Sequence, residues 1–160
     1  MSVDVTASIR SLLGQHGVTF REVAHEPTPT SEEAARARGE PLEVGAKSLV
    51  MKTGPSWSLF VIPANEKIDS TAVRRHLQLR HLRFATRDEL FHLTGLVPGS
   101  VPPFGEPVLP VQLYADPSLG GGTGRIAFNA GSLTLSFILN VDDWRRVASP
   151  HLLDLVGRRA

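Results

Sequence analysis

The most distinctive stretch of this 160-residue chain is rich in proline and glycine and reads Thr94-Gly95-Leu96-Val97-Pro98-Gly99-Ser100-Val101-Pro102-Pro103-Phe104-Gly105. Prolines fix φ and remove a backbone donor, whereas glycines let a ligand approach the backbone closely. A loop of this length in a small protein is usually functional or disordered, and its apolar side chains argue against disorder. We therefore predict an ordered loop that forms one wall of a pocket. The alternative is a proline-rich connector packed against a sheet.

The segments on either side of this loop alternate between helical and strand patterns. Capping boxes at Thr30–Glu33 and Thr86–Glu89 open two helices, and the turn Thr53-Gly54-Pro55 joins two strand-like runs, 44–52 and 56–62, into a hairpin. Further strands are predicted at 18–24, 82–85, 111–114, 125–129 and 133–139, and further helices at 3–14, 70–79, 144–147 and 151–157. No regular strand–helix–strand repeat occurs, which favours an α+β fold with a mixed sheet in one domain over residues 1–160.

The composition excludes several classes of protein. With no cysteine, the chain has no disulfide framework, cysteine-ligated zinc, iron–sulfur cluster or cysteine nucleophile. The six histidines lack the spacing of metal ligands, and we expect neither a metal nor another cofactor. The start Met1-Ser2-Val3-Asp4 does not resemble a signal peptide, and no apolar run approaches about 18 residues. We predict a cytoplasmic protein with no membrane or DNA partner.

The basic residues are unevenly distributed. Only three of the 17 cationic residues are lysines, and Lys47, Lys52 and Lys67 fall within 21 positions. This indicates either a site that needs a compact ammonium group or chance in an arginine-rich composition. Residues 72–87 contain no acid, and we predict that Arg74, Arg75 and Arg80 there bind the phosphates of an RNA. The alternative is a solvated helix face.

Several short motifs occur in order along nearly the whole chain: His25-Glu26-Pro27-Thr28, Ser31-Glu32-Glu33-Ala34-Ala35, Gly45-Ala46-Lys47-Ser48-Leu49, Val61-Ile62-Pro63-Ala64, Thr94-Gly95, Gly99 to Pro103, Asp116-Pro117-Ser118-Leu119 and Phe128-Asn129-Ala130-Gly131-Ser132. Together they resemble the YbaK family, also called the prolyl-tRNA synthetase-associated or aminoacyl-tRNA editing domain family. The resemblance implies a single α+β domain whose mixed, mostly antiparallel, curved sheet is flanked by helices. It also implies hydrolysis of mischarged aminoacyl-tRNA, either within prolyl-tRNA synthetase or as a free-standing trans-editing factor.

The resemblance also implies roles for particular residues. Lys47 would face the acceptor end of the tRNA, and the loop from Gly99 to Pro103 would shape the aminoacyl pocket. The residues assigned to catalysis are Lys47, Gly99, Ser100 and Val101. Those assigned to substrate binding are His25, Thr30, Ser48, Pro102, Pro103, Phe104, Asn129 and Gly131. Some branches of the family carry a histidine on a late strand beside the pocket. In this chain that neighbourhood reads Phe128-Asn129-Ala130-Gly131, so Asn129 either substitutes for the histidine or is structural.

These observations favour a free-standing aminoacyl-tRNA deacylase that removes a small amino acid. An aminoacyl ester is already activated, so positioning, a polarised carbonyl and a water are sufficient for hydrolysis. Aminoacyl-tRNA and an aminoacyl-tRNA synthetase are the candidate partners. Two alternatives remain open: a non-catalytic module that binds tRNA or a nucleotide, and a hydrolase of another small ester or amide.

Overall fold

The computed structural model describes residues 4–157, which form five α-helices and eight strands. The helices are α1 (Val5–Gln15), α2 (Ser31–Arg38), α3 (Ser70–Leu77), α4 (Arg87–Thr94) and α5 (Val141–Ala148). The strands are β1 (Phe20–Ala24), β2 (Ala46–Thr53), β3 (Ser56–Pro63), β4 (Arg83–Phe84), β5 (Gln112–Ala115), β6 (Arg125–Asn129), β7 (Leu135–Asn140) and β8 (His151–Leu152). Val3, the predicted start of the first helix, lies outside the described residues.

Side-chain caps fix where the helices begin. Thr30 accepts a hydrogen bond from the Glu33 amide and opens α2. Thr86 and Glu89 exchange reciprocal bonds at the start of α4, as the capping-box motif predicts. Helix α5 begins earlier than the predicted 144–147, because the Asn140 side chain accepts from the Asp142 and Asp143 amides and caps the helix there.

The strands form two sheets. One has five strands in the order β4-β2-β3-β5-β8, and the other is an antiparallel sheet with the order β1-β7-β6. The β3–β5 and β5–β8 pairs are parallel, so the predicted α+β fold with a mixed, mostly antiparallel strand arrangement is confirmed. A single mixed sheet was expected; the strands instead divide in two because the glycine-rich turn at 117–124 leads from β5 into the second sheet.

Strand β3 is buried on both faces and therefore separates two apolar clusters. Leu59 and Val61 pack in the main core, whereas Phe60 and Ile62 point to a smaller cluster that includes Val73 of α3. The proline-rich loop is ordered, as predicted, because its apolar side chains join the main core.

The predicted helix at 151–157 is wrong. His151 and Leu152 form β8 and pair in parallel with β5. The next backbone donors also bond outside the segment, since the Leu153 amide donates to the Ala115 carbonyl at 3.0 Å and the Leu155 amide to an Asp116 carboxylate oxygen at 2.9 Å. A short apolar run in a sequence does not show whether its backbone groups bond within a helix or to a neighbouring strand. Within residues 4–157, no helix has the length and hydropathy needed to cross a bilayer.

Candidate active site

A cavity of about 570 Å³ lies where α2, the start of β2, the proline-rich loop and the end of β6 meet. Its volume is typical of small-molecule sites. Six of the residues that the sequence singled out line it together: Thr30, Lys47, Ser48, Gly99, Val101 and Asn129. The loop therefore forms a wall of the cavity through Pro98, Gly99 and Val101, as predicted.

Lys47 is the cation that β2 supplies to the cavity. It is the second residue of the strand, pairs with Ile62 across the hairpin and is half-buried. Burial lowers the pKa of Lys47, and the nearby charge of Lys67 adds to this effect, while Glu32 and Glu66 oppose it. Lys52 belongs to a different site, since its Nζ lies 5.7 Å from the centre of the Trp57 ring.

Arg38 supplies a second cation, which the sequence analysis missed. It is only 8% exposed and donates from Nε to Ser136 Oγ at 2.9 Å and from Nη2 to Asn129 Oδ1 at 3.3 Å. No carboxylate within residues 4–157 forms an ion pair with it, and burial lowers its pKa to about 10. Its burial could have been predicted from its position, because Arg38 lies four residues after Ala34 and therefore on the same face of α2.

The electrostatic character of the cavity follows from these two side chains. Arg38 and Lys47 are both cationic, and no carboxylate is found among the side chains that line the cavity. In a partly dehydrated cavity, two cations with no carboxylate beside them in the lining favour negative charge more than they would in water. The site is therefore suited to a phosphate or to a developing oxyanion. No group of three histidine, aspartate or glutamate side chains in the described part of the chain is arranged to hold a metal ion.

Asn129 lies at the centre of a polar network behind the cavity. Its Oδ1 accepts from Ser136 Oγ at 3.0 Å and from Arg38, and its Nδ2 donates to the Gly99 carbonyl at 2.8 Å. His25 reaches this network only through Ser136, because its Nε2 lies 2.8 Å from Ser136 Oγ. Its Nδ1 donates to the neighbouring Glu26 carbonyl at 2.8 Å. The predicted substrate ligand His25 thus lies behind the cavity wall.

The loop residues divide into two groups. Gly99 has φ +89° and lines the cavity. In the described part of the chain, the amide N–H groups of Gly99 and Val101 have no hydrogen-bond acceptor. Ser100 is different: its amide and hydroxyl both donate to the Val97 carbonyl, at 3.1 and 2.8 Å, so its polar groups hold the turn together.

Four further residues assigned to substrate binding lie outside the cavity lining, namely Pro102, Pro103, Phe104 and Gly131. The expectation that Phe104 lines the pocket is wrong, since it is 1% exposed and packs edge-on against Phe128 in the core. The Pro103 carbonyl accepts from buried Trp144 Nε1 at 2.9 Å. The Gly131 amide donates to the Ser100 carbonyl at 2.9 Å and so supports the loop from behind.

Four hydroxyl-bearing side chains line the cavity, those of Thr28, Thr30, Ser31 and Ser48. Thr30 Oγ1 caps α2 through Glu33. Thr28 Oγ1 and Ser48 Oγ are buried and have no protein partner. Because a buried hydroxyl without a partner is costly, both are available to bond a substrate. Thr28 was quoted in the first motif and was not singled out as a site residue.

The predicted tRNA-binding arginines lie away from this cavity. Arg74 and Arg80 line a separate basic cavity beside α3 and β4, whereas Arg75 is exposed on α3 outside it. They are therefore candidates to bind a part of the substrate that lies away from the reacting group.

Comparison with known proteins identifies the family to which a chain with this site belongs. A family model described as "Aminoacyl-tRNA editing domain" matches residues 25–147, which include every residue named above as lining the cavity. The chain belongs to the aminoacyl-tRNA editing domain family. The predicted resemblance is thereby confirmed.

Members of the aminoacyl-tRNA editing domain family resemble the chain to different extents. The Multifunctional Ser/Thr-tRNA deacylase ProXp-y of Escherichia coli K12 is 37% identical over 149 residues, covering 90% of this chain and 88% of that protein. A proline–tRNA ligase of Shouchella clausii is 32% identical over 101 residues, 63% of this chain but only 17% of the ligase. A crystal structure of a candidate trans-editing enzyme for prolyl-tRNA synthetase superposes with a TM-score of 0.83 at 25% identity, covering 99% of this chain and all of the other.

Proposed function

We propose that this protein is an aminoacyl-tRNA deacylase, an ester hydrolase that edits tRNA carrying a small, incorrect amino acid. The observation that carries the proposal is the cavity, in which Lys47 and Arg38 are the charged groups and no carboxylate is present. Such a site favours a phosphate-bearing substrate and a negatively charged transition state. A relative that is 37% identical over 90% of the chain is named as a Ser/Thr-tRNA deacylase, which agrees with this chemistry.

The reaction needs few protein groups. Water adds to the ester carbonyl carbon, negative charge develops on the carbonyl oxygen, and the bond to the ribose oxygen then breaks as that oxygen takes up a proton. The free N–H groups of Gly99 and Val101 are suited to stabilise the oxyanion. Among residues 4–157, no histidine or carboxylate lines the cavity, and in this proposal the vicinal ribose hydroxyl of the terminal adenosine would assist the proton transfer.

Lys47 and the free hydroxyls position the substrate. A cationic Lys47 would hold the phosphate or ribose of the terminal nucleotide, and Thr28 and Ser48 would bond its polar edges. When the ester and the attacking water are held in this way, their translational and rotational entropy is already lost before they react. This positioning contributes several kcal/mol to catalysis.

The apolar part of the lining would select the amino acid by size. The apolar lining residues are Ala34, Ala46, Val101 and Leu133. An uncharged surface of this kind suits the side chains of alanyl, seryl or threonyl groups. A methylene difference alone is worth only about 1–3 kcal/mol of discrimination. Editing sites therefore exclude the larger, correct amino acid by steric clash.

The expected setting of the reaction follows from its substrate. Aminoacyl-tRNA is the proposed partner, and the local match to a proline–tRNA ligase supports an aminoacyl-tRNA synthetase as a second one. The reaction would take place in the cytoplasm.

A panel of mischarged tRNAs tests the proposal. Each tRNA would carry a labelled amino acid and be incubated with purified protein, and release of label would be compared with spontaneous hydrolysis. We expect release from tRNAs carrying alanine, serine or threonine. Binding of tRNA without release from any member of the panel would support a non-catalytic binding module instead.

A further inference from the structure

A second cavity, of about 460 Å³, lies at the far end of β2 from the active site. Its basic side chains define the basic groove, namely Lys52, Arg74, Arg80, His81 and Arg83. No acidic side chain lines it. Trp57 lies beside it, with Lys52 Nζ at 5.7 Å and Arg83 Cζ at 5.8 Å from its ring centre.

The basic groove carries uncompensated positive charge. Arg83 is neutralised by Glu89, with nitrogen–oxygen distances of 2.8 and 2.9 Å. Lys52, Arg74 and Arg80 have no carboxylate partner in the described part of the chain. Three unpaired cations around one concavity attract a polyanion, although the whole chain has a net charge of only +1.

The position of the basic groove indicates which part of a polyanion it would meet. Lys47 and Lys52 lie five residues apart on β2, or about 17 Å at a rise of about 3.3 Å per residue. Because an odd number of positions separates them, the two side chains leave opposite faces of β2, and the basic groove lies beyond the reach of the nucleotide held at the active site. We propose that the basic groove binds the phosphate backbone of the tRNA acceptor arm at nucleotides that precede the acylated one. The inference rests on the proposed function, because the active-site cavity defines where that end lies.

A double charge reversal tests the loss of this contact. Arg74→Glu with Arg80→Glu should raise the Kd for uncharged tRNA at least tenfold at about 100 mM salt. The slope of log affinity against log salt should become less steep by about two. The control is Arg10→Glu with Arg146→Glu, which makes the same charge change at two ion-paired, exposed arginines on other elements. An unchanged slope in the Arg74/Arg80 variant, or an equal effect in the control, would overturn the proposal.

A gain of affinity provides a test that partial unfolding cannot imitate. Glu89→Gln removes the carboxylate that neutralises Arg83, while glutamine can still complete the capping box with Thr86. We expect tighter tRNA binding and a salt slope steeper by about one. A lower affinity in this variant would count against the basic groove.

A short substrate separates the basic groove from the active site. Adenosine acylated on its ribose cannot reach the groove, so the Arg74/Arg80 variant should hydrolyse it within twofold of wild type while its kcat/KM on acylated tRNA falls at least tenfold. Equal losses on both substrates would overturn the proposal. If wild-type protein hydrolysed neither substrate, the proposed function would fail, whereas the altered salt slope for tRNA binding would still support the groove.

Discussion

The side-chain amide of Asn129 donates a 2.8 Å hydrogen bond to the backbone carbonyl of Gly99. The orientation of the amide is fixed, because its oxygen accepts from both Ser136 and Arg38. One side chain at the end of β6 thus joins the loop wall of the cavity to buried Arg38. Asn129 therefore holds the wall in place.

Loss of this contact should reduce activity more than stability. In Asn129→Ala the Gly99 carbonyl loses its donor, and we expect kcat/KM for deacylation to fall about 10- to 100-fold, since small displacements of positioning groups are costly. Asn129→Asp should be worse, because a carboxylate oxygen would face that carbonyl. Steady-state kinetics alongside melting temperatures check this. Activity equal to wild type in folded Asn129→Ala would show that the contact does not support catalysis.

Gly99 should be intolerant of any side chain because of its backbone. Its φ of +89° is strained for an L-residue even though a Cβ would meet only Leu133 at an acceptable 3.4 Å. We expect Gly99→Ala to cost about 1 kcal/mol or more of unfolding free energy. Gly14→Ala in α1 is the matched control, because that site is open and helical and the change should stabilise. Denaturant unfolding that gave the same sign for both variants would contradict this account of the loop.

The sequence predicted the parts of this site that depend on local rules. Capping boxes located α2 and α4, and the hairpin signal located β2, which carries Lys47. It could not predict contacts between distant segments. Arg38 and Ser136 are 98 residues apart in the chain and meet only when α2 packs over β7. Phe104 was assigned to the pocket because an apolar side chain in a loop can face a ligand or the core, and only packing decides between them.

Lys47 should give substrate binding a distinctive pH dependence. It is cationic below its pKa, and burial lowers that pKa, so the charge is lost at a lower pH than for an exposed lysine. Above the range in which the substrate's own α-amino group titrates, we expect KM to rise with pH. In Lys47→Arg the KM should stay flat, since arginine remains protonated. An identical rise in both proteins would assign the effect to another group.

Val101 should set the size limit for the amino acid. Val101→Ala removes two methyl groups from the cavity wall, and we expect the preference for a small amino acid over one that is a methylene larger to fall about tenfold or more. Val97→Ala is the control, because Val97 belongs to the same loop but does not line the cavity. The ratio of kcat/KM values for two acylated tRNAs measures the preference. A similar shift in both variants would indicate general loosening of the loop.

The most direct test of the central claim compares two lysines on one strand. Lys47 lines the active-site cavity, and Lys52, five residues later, lies over Trp57 outside it. With adenosine acylated on its ribose as substrate, we expect Lys47→Ala to lower kcat/KM about 100-fold or more, as loss of an electrostatic contact in the transition state does, and Lys52→Ala to stay within twofold of wild type. Wild-type turnover by a folded Lys47→Ala protein would contradict the assignment of this cavity as the deacylation site.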